Sequence, residues 1–225
     1  MTIAIETNIS CLFVDIGGVL LSDGWGHKSR ELAAKTFELN GEEMELRHHQ
    51  IFEAYEMGKF SLDEYLNQVV FYQPRPFSQE EFRQFIFRQS TPNIQMLELI
   101  HTIKTKYELK VVAVSNEARE LNEYRISTFK LNLIFDFFIS SCFVHLRKPD
   151  PAIFKLALDV AQVPVKQILY IENSPEFIPV AGELGIQSIL HVDYHATCSQ
   201  LEWFGLQTEE TRLETSELDD HLVAH

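Results

Sequence analysis

Residues 11–20 read Cys11-Leu12-Phe13-Val14-Asp15-Ile16-Gly17-Gly18-Val19-Leu20. An apolar run of strand length ends in a carboxylate, and two glycines follow at once. Three further segments repeat the design in a fixed order: Val111-Val112-Ala113-Val114-Ser115-Asn116, Arg147-Lys148-Pro149-Asp150-Pro151 and Ile168-Leu169-Tyr170-Ile171-Glu172-Asn173-Ser174. Two of these are again strand-like runs that stop at a polar residue, and the other places one lysine ahead of a helix start. Strand-like runs lie at 9–14, 110–114, 135–140, 167–171 and 187–191. They are rich in Val, Ile, Leu and Phe with little alternation, as in strands buried on both faces of a parallel sheet.

Helices fill the intervals. Thr91-Pro92 and Asp150-Pro151 pair a cap residue with a proline at the first helical position, and Ser174-Pro175 predicts a third start. Pro179 fits that third helix only within its first turn. Alternating strand and helix gives an α/β fold, a Rossmann-like doubly wound parallel sheet. Residues 22–90 break the rhythm and read as four helices. Ser61-Leu62-Asp63-Glu64 and Ser78-Gln79-Glu80-Glu81 each form a capping box ahead of an apolar stripe. The expected organisation is a core of 1–21 and 91–200, an inserted four-helix cap over 22–90, and an acidic tail over 201–225. The Phe-rich stretches 82–87 and 135–143 read as core.

The chain has 225 residues, enough for one domain with a substantial insert, and a formal net charge of −14. That charge argues against nucleic acid or an anionic membrane as partner, because phosphate backbones recruit clustered Lys and Arg. Cys11, Cys142 and Cys198 are few and scattered, which reads as buried thiols in a cytoplasmic protein. No signal peptide is read at the start, and the most apolar window, 131–144, is too short to span a bilayer.

In open α/β sheets ligands bind beyond the carboxyl ends of the strands. Asp15, Ser115 and Glu172 each end a strand there. The Gly17-Gly18 turn allows successive amides to form an anion nest. Asp15 beside it can attack phosphorus or carbon, and Ser115 with the Asn116 amide can bind a phosphoryl oxygen. Lys148 can neutralise charge, while Asp15 and Glu172 together suit magnesium (Mg2+). Taken singly, each has a plainer reading: a turn for Asp15, a helix cap for Ser115, a solvated surface residue for Lys148.

Together the four motifs resemble those of the haloacid dehalogenase superfamily, mostly magnesium-dependent phosphatases, and the helical insert resembles the cap of its helical-cap subgroup. The resemblance covers roughly residues 9–21 and 91–195. It implies Asp15 as nucleophile, the Gly17 carbonyl and Glu172 as metal ligands with Asp15, and Ser115 with Lys148 as the phosphate-binding pair. The implied substrate is a small phosphorylated metabolite, cleaved through an aspartyl-phosphate.

Two positions depart from the family pattern. Gly17 stands where the phosphatases usually carry a second aspartate as general acid and base, a role worth about 10²–10⁴-fold. Glu172-Asn173 replaces a common aspartate pair. Without an acid at 17, aryl or acyl phosphates are expected to outrun sugar phosphates unless Asp23, His27 or a water supplies the proton. Asp23, Trp25 and His27 follow the first strand at the cap hinge and are the candidate substrate contacts; hinge packing is their other reading. His48, His49, His145 and His191 share no metal-ligand spacing and read as surface or packing residues. The alternatives are a metal-independent dehalogenase-like hydrolase and a catalytically impaired phosphate-binding module.

Overall fold

The computed structural model describes residues 7–207. Five strands, β1 (Cys11–Val14), β2 (Lys110–Ser115), β3 (Phe137–Ser140), β4 (Ile168–Glu172) and β5 (Gln187–Leu190), form one parallel sheet in the order β3-β2-β1-β4-β5. Successive side chains of a strand point to opposite faces. Leu12, Val14, Val111, Ala113, Leu169 and Ile171 therefore enter one apolar cluster, and Cys11, Phe13, Val112, Val114, Ile168 and Tyr170 another. Both faces are covered, which is why these strands show no apolar-polar alternation.

Four helices precede β2 as an insert: α1 (His27–Thr36), α2 (Gly41–Glu56), α3 (Leu62–Val69) and α4 (Gln79–Arg88). The remaining helices are α5 (Ile94–Tyr107), α6 (Arg119–Thr128), α7 (Ser141–Val144), α8 (Pro151–Ala161), α9 (Phe177–Glu183) and α10 (Tyr194–Trp203). α5 and α10 pack on the first sheet face, α8 and α9 on the second. The insert buries a third cluster around Met44, Leu62, Tyr65, Leu66 and Phe82, which reaches α6 through Ala118 and Leu121. A fully buried side chain of this size contributes about 1.5–3 kcal/mol, so the insert holds its own core. Both capping boxes form, with Ser61 paired to Glu64 and Ser78 to Glu81.

Four readings change. α5 starts at Ile94, capped by Asn93, because Thr91 and Pro92 are still paired with the outgoing segment. The Ser22 amide donates to the Thr91 carbonyl at 2.9 Å, and Pro92 bridges Leu21. α9 starts at Phe177, which leaves Pro179 in the first turn, where its missing N–H costs nothing. Phe137, read as core, is 41% exposed on the edge strand. Leu201 and Leu206, assigned to a loose tail, are fully buried in the first cluster, so the chain stays packed that far. The acidic stretch beyond 207 lies outside the described residues. All three cysteines are free and buried. Among the described residues no helix is long and apolar enough to cross a membrane.

Candidate active site

β1 and β4 are neighbours that the chain reaches from opposite directions, which makes their junction the switch point of the sheet. Their register pairs Val14 with Ile171, so Asp15 and Glu172 leave the sheet side by side. Asp15 Oδ1 accepts from the Ile16 amide at 2.8 Å, and Oδ2 lies 3.0 Å from Lys148 Nζ. The same ammonium reaches Glu172 Oε2 at 2.5 Å and Tyr170 OH at 3.2 Å, while the Tyr170 hydroxyl donates to Glu172. One fully buried cation thus bridges two buried carboxylates. Burial works to depress the Lys148 ammonium, but Asp15 and then Glu172 outweigh it and hold it above the ordinary lysine range. Burial and then Asp15 push Glu172 above the usual carboxylate range, against the pull of Lys148.

The loop that carries Lys148 is fixed by Asn116. The Lys148 amide donates to Asn116 Oδ1 at 2.8 Å, and Asn116 Nδ2 donates to the Lys148 carbonyl at 2.9 Å. The Asn116 side chain therefore positions Lys148. The Lys148–Pro149 peptide is cis.

The glycine turn differs from the expected nest. The Gly18 amide donates to the Leu21 carbonyl at 2.7 Å, so it is consumed inside the turn and does not face an anion. What Gly18 supplies is a left-handed backbone, φ 76°, and a missing Cβ that would collide with Asn173. The Asn173 amide terminus lies 3.0 Å from Glu172 Oε1 and 3.1 Å from the Gly17 carbonyl. Its nitrogen donates to both oxygens when it faces them.

A cleft of about 400 Å³ opens above this floor, with Asp15, Ser115, Asn116 and Lys148 at its base. Asp23, Trp25 and His27, the candidate substrate contacts, all line it. Trp25 is buried and its Nε1 donates to Tyr65 OH at 2.8 Å, so its polar edge serves packing. His27 is exposed, 3.5 Å from Glu31 and 3.6 Å from Glu45. Ser115 Oγ lies 3.4 Å from Glu117 Oε1.

Several residues in or beneath the cleft carry no signal that the sequence analysis used. Tyr170 sits two residues before Glu172 and so shares its face, a signal that the strand period carried. Arg147 beside Lys148 binds Glu53 at 3.0 Å and Glu56 at 2.9 Å on α2, tying the insert to the sheet domain. Glu117 and Arg125 form a buried pair at 2.5 Å, which nothing local in the sequence marked. His191 packs as expected, against Thr197 at 2.7 Å.

His48 was read as surface or packing, and it lines the cleft while buried against Tyr65 OH at 2.8 Å. Burial, with Arg30 beside it, pushes its pKa down to about 3. An unfolded histidine titrates near 6.5, so the unfolded chain binds the extra proton between those values. The stability that neutral His48 contributes is complete above about pH 6.5 and is lost as pH falls toward 3. Urea unfolding should show His48→Gln gaining on the parent by up to about 1.4 kcal/mol per pH unit below pH 6.5. Parallel pH profiles for the two proteins would refute this.

A model of the haloacid dehalogenase-like hydrolases matches residues 9–185. The chain belongs to that family. Bifunctional epoxide hydrolase 2 of Sus scrofa is 26% identical over 132 residues, 57% of this chain but only 24% of that protein. The match thus spans about a quarter of the curated relative. Among solved structures, a HAD family enzyme of Bacteroides thetaiotaomicron superposes with TM-score 0.69 at 24% identity, covering 81% of this chain and 93% of that one. That enzyme has also been crystallised with magnesium and inorganic phosphate. The L-2-haloacid dehalogenase of Xanthobacter autotrophicus, with chloropropionic acid covalently bound, superposes with TM-score 0.58 at 15% identity over 89% of this chain and 85% of its own. At these identities the likenesses establish the fold.

Proposed function

We propose that this chain is a magnesium-dependent phosphatase of small phosphorylated metabolites, working through an aspartyl-phosphate on Asp15. The observation that carries this is the Asp15–Lys148–Glu172 bridge beneath a cleft whose lining also includes His27 and Arg30 of α1 and His48, Phe52 and Tyr55 of α2. The magnesium and phosphate complex of the Bacteroides enzyme supports the same chemistry here.

The residues fit magnesium. Glu172 Oε1 and the Gly17 carbonyl converge on the Asn173 terminus, and Asp15 stands beside Glu172. Among the described residues no three His, Cys, Asp or Glu side chains cluster as a ligand set. Two carboxylates and a carbonyl leave the remaining positions to water and substrate oxygens, as magnesium prefers. Asp15, Glu172 and the Gly17 carbonyl would hold the ion, which supplies charge neutralisation for a phosphoryl group.

The chain's own groups do the rest. The Ile16 amide on Oδ1 and Lys148 on Oδ2 fix the plane of the Asp15 carboxylate, so it meets phosphorus in one orientation. Lys148 and Ser115 hold the phosphoryl oxygens. The Trp25 and Tyr55 side of the cleft takes the organic part.

A panel of phosphate esters assayed with magnesium and with EDTA tests this. Turnover should vanish in EDTA, and Glu172→Gln should raise the magnesium requirement at least about tenfold, one interaction of about 1.4 kcal/mol. A second reading rests on Gly17, which lacks the phosphatase acid, and on the likeness to the Xanthobacter dehalogenase. EDTA-insensitive release of halide from 2-haloacids would establish that reading and sink ours.

A further inference from the structure

We propose that Glu117 is the proton-transfer group of this site, doing from the β2–α6 turn what Gly17 has no side chain to do. The inference rests on the phosphatase reading above and adds a residue to it.

The carboxyl is in the right place. Glu117 is 4% exposed and lines the cleft with Asp15 and Ser115. A Cβ built on residue 17 would stand 3.8 Å from Glu117 Oε1 and 3.8 Å from Arg125 Nη1. The Glu117 carboxyl therefore borders the space that a side chain from position 17 would enter. Asp23 is also near, but it is exposed to solvent.

Its surroundings hold it still. The Glu117 amide donates to Ser141 Oγ at 2.9 Å, and that hydroxyl donates to the Glu56 carbonyl at 2.7 Å. Arg125 is anchored at both segments that join the insert to the sheet domain. Its Nε donates to Ser90 Oγ at 3.0 Å, and Nη2 donates to the Ser22 carbonyl at 2.9 Å. Nη1 remains for Glu117, whose two side-chain hydrogen bonds, to Arg125 and Ser115, both fall on Oε1. The charged groups facing Glu117 are Arg125 on α6, Asp15 after β1 and Glu56 on α2. Burial lifts its carboxyl above the ordinary range, opposed by Arg125 and helped by Asp15.

The proton balance closes over two steps. Asp15 attacks phosphorus, the bond from phosphorus to the ester oxygen breaks, and the leaving oxygen takes the proton on Glu117 Oε2. Water then attacks the aspartyl-phosphate and gives its proton to the Glu117 carboxylate. The phosphorus–Asp15 bond breaks with its electron pair returning to Asp15. Glu117 ends protonated, as it began, and the net change is hydrolysis of the ester.

Leaving-group dependence tests this, since an alkoxide needs the proton and a nitrophenolate does not. With magnesium, the parent should turn over n-propyl phosphate as well as p-nitrophenyl phosphate. Glu117→Gln should lose about 10²–10⁴-fold on the alkyl ester and less than about tenfold on the aryl one. Gly17→Asp in that background should restore the alkyl rate selectively, since a Cβ at position 17 meets nothing closer than 3.8 Å. If Glu117→Gln does not fold, Glu117→Gln/Arg125→Met removes the charge left unpaired and is read the same way. Equal losses on both esters overturn the role, as does an alkyl-selective loss in Asp23→Asn that Glu117→Gln lacks. A folded parent inert toward both esters overturns the phosphatase reading itself.

Discussion

Asp15→Asn is expected to abolish turnover, by on the order of 10⁴-fold or more, while the sheet remains folded. An amide has almost the shape of the carboxylate but does not attack phosphorus. The structure also sets the cost to stability. Asp15 accepts two hydrogen bonds, from the Ile16 amide on one oxygen and from Lys148 on the other. Asparagine keeps one acceptor, so it serves the Ile16 amide and turns its NH2 toward the ammonium. Lys148 still has Glu172 and Tyr170, which limits the loss to about 1–3 kcal/mol. The measurement is kcat on p-nitrophenyl phosphate beside far-UV circular dichroism and a urea curve. A folded variant that retains a tenth of parental kcat would end the covalent mechanism.

The parts of this site legible in the sequence were those with local signatures. Asp15, Ser115 and Glu172 ended apolar runs, and buried strands are recognisable because both faces must be apolar. That Asp15 stands beside Glu172 depends on the strand order β3-β2-β1-β4-β5 and on the pairing of Val14 with Ile171, which no local motif states. What stayed hidden depends on hydrogen bonds made at a distance. Gly18 looked free to bind an anion, but its amide is taken by Leu21 in the same turn. Thr91-Pro92 had the chemistry of a helix start, yet pairing with residues 21–22 outweighs it. Asn116 was given to the substrate for its backbone amide, while its side chain proves to be the latch on Lys148. Arg125 belongs to none of the sequence motifs. Only the fold shows that it meets Ser22, Ser90 and Glu117 at once.

Lys148→Met should cost about 3–5 kcal/mol of stability, a large share of the 5–15 kcal/mol typical of a folded domain. Methionine replaces the apolar stem at little cost in volume, so the effect isolates the ammonium. Its loss leaves Asp15 and Glu172 as neighbouring carboxylates, 7% and 0% exposed, with no counter-ion. Tyr170 bonds to Glu172 but carries no charge, and the Asn173 amide compensates only in part. Removing one carboxylate should then repair the damage that removing the cation caused. Lys148→Met/Glu172→Gln is accordingly expected to be more stable than Lys148→Met, although Glu172→Gln alone destabilises the parent. Urea unfolding of all four proteins in EDTA measures the coupling, with no divalent cation available to stand in for the ammonium. Additive losses, or a single-variant cost under about 1 kcal/mol, would mean that the bridge does not hold the floor of the cleft together. The expected sign follows from charge alone: the two carboxylates proposed to hold a cation repel each other, and Lys148 is the group that keeps them side by side.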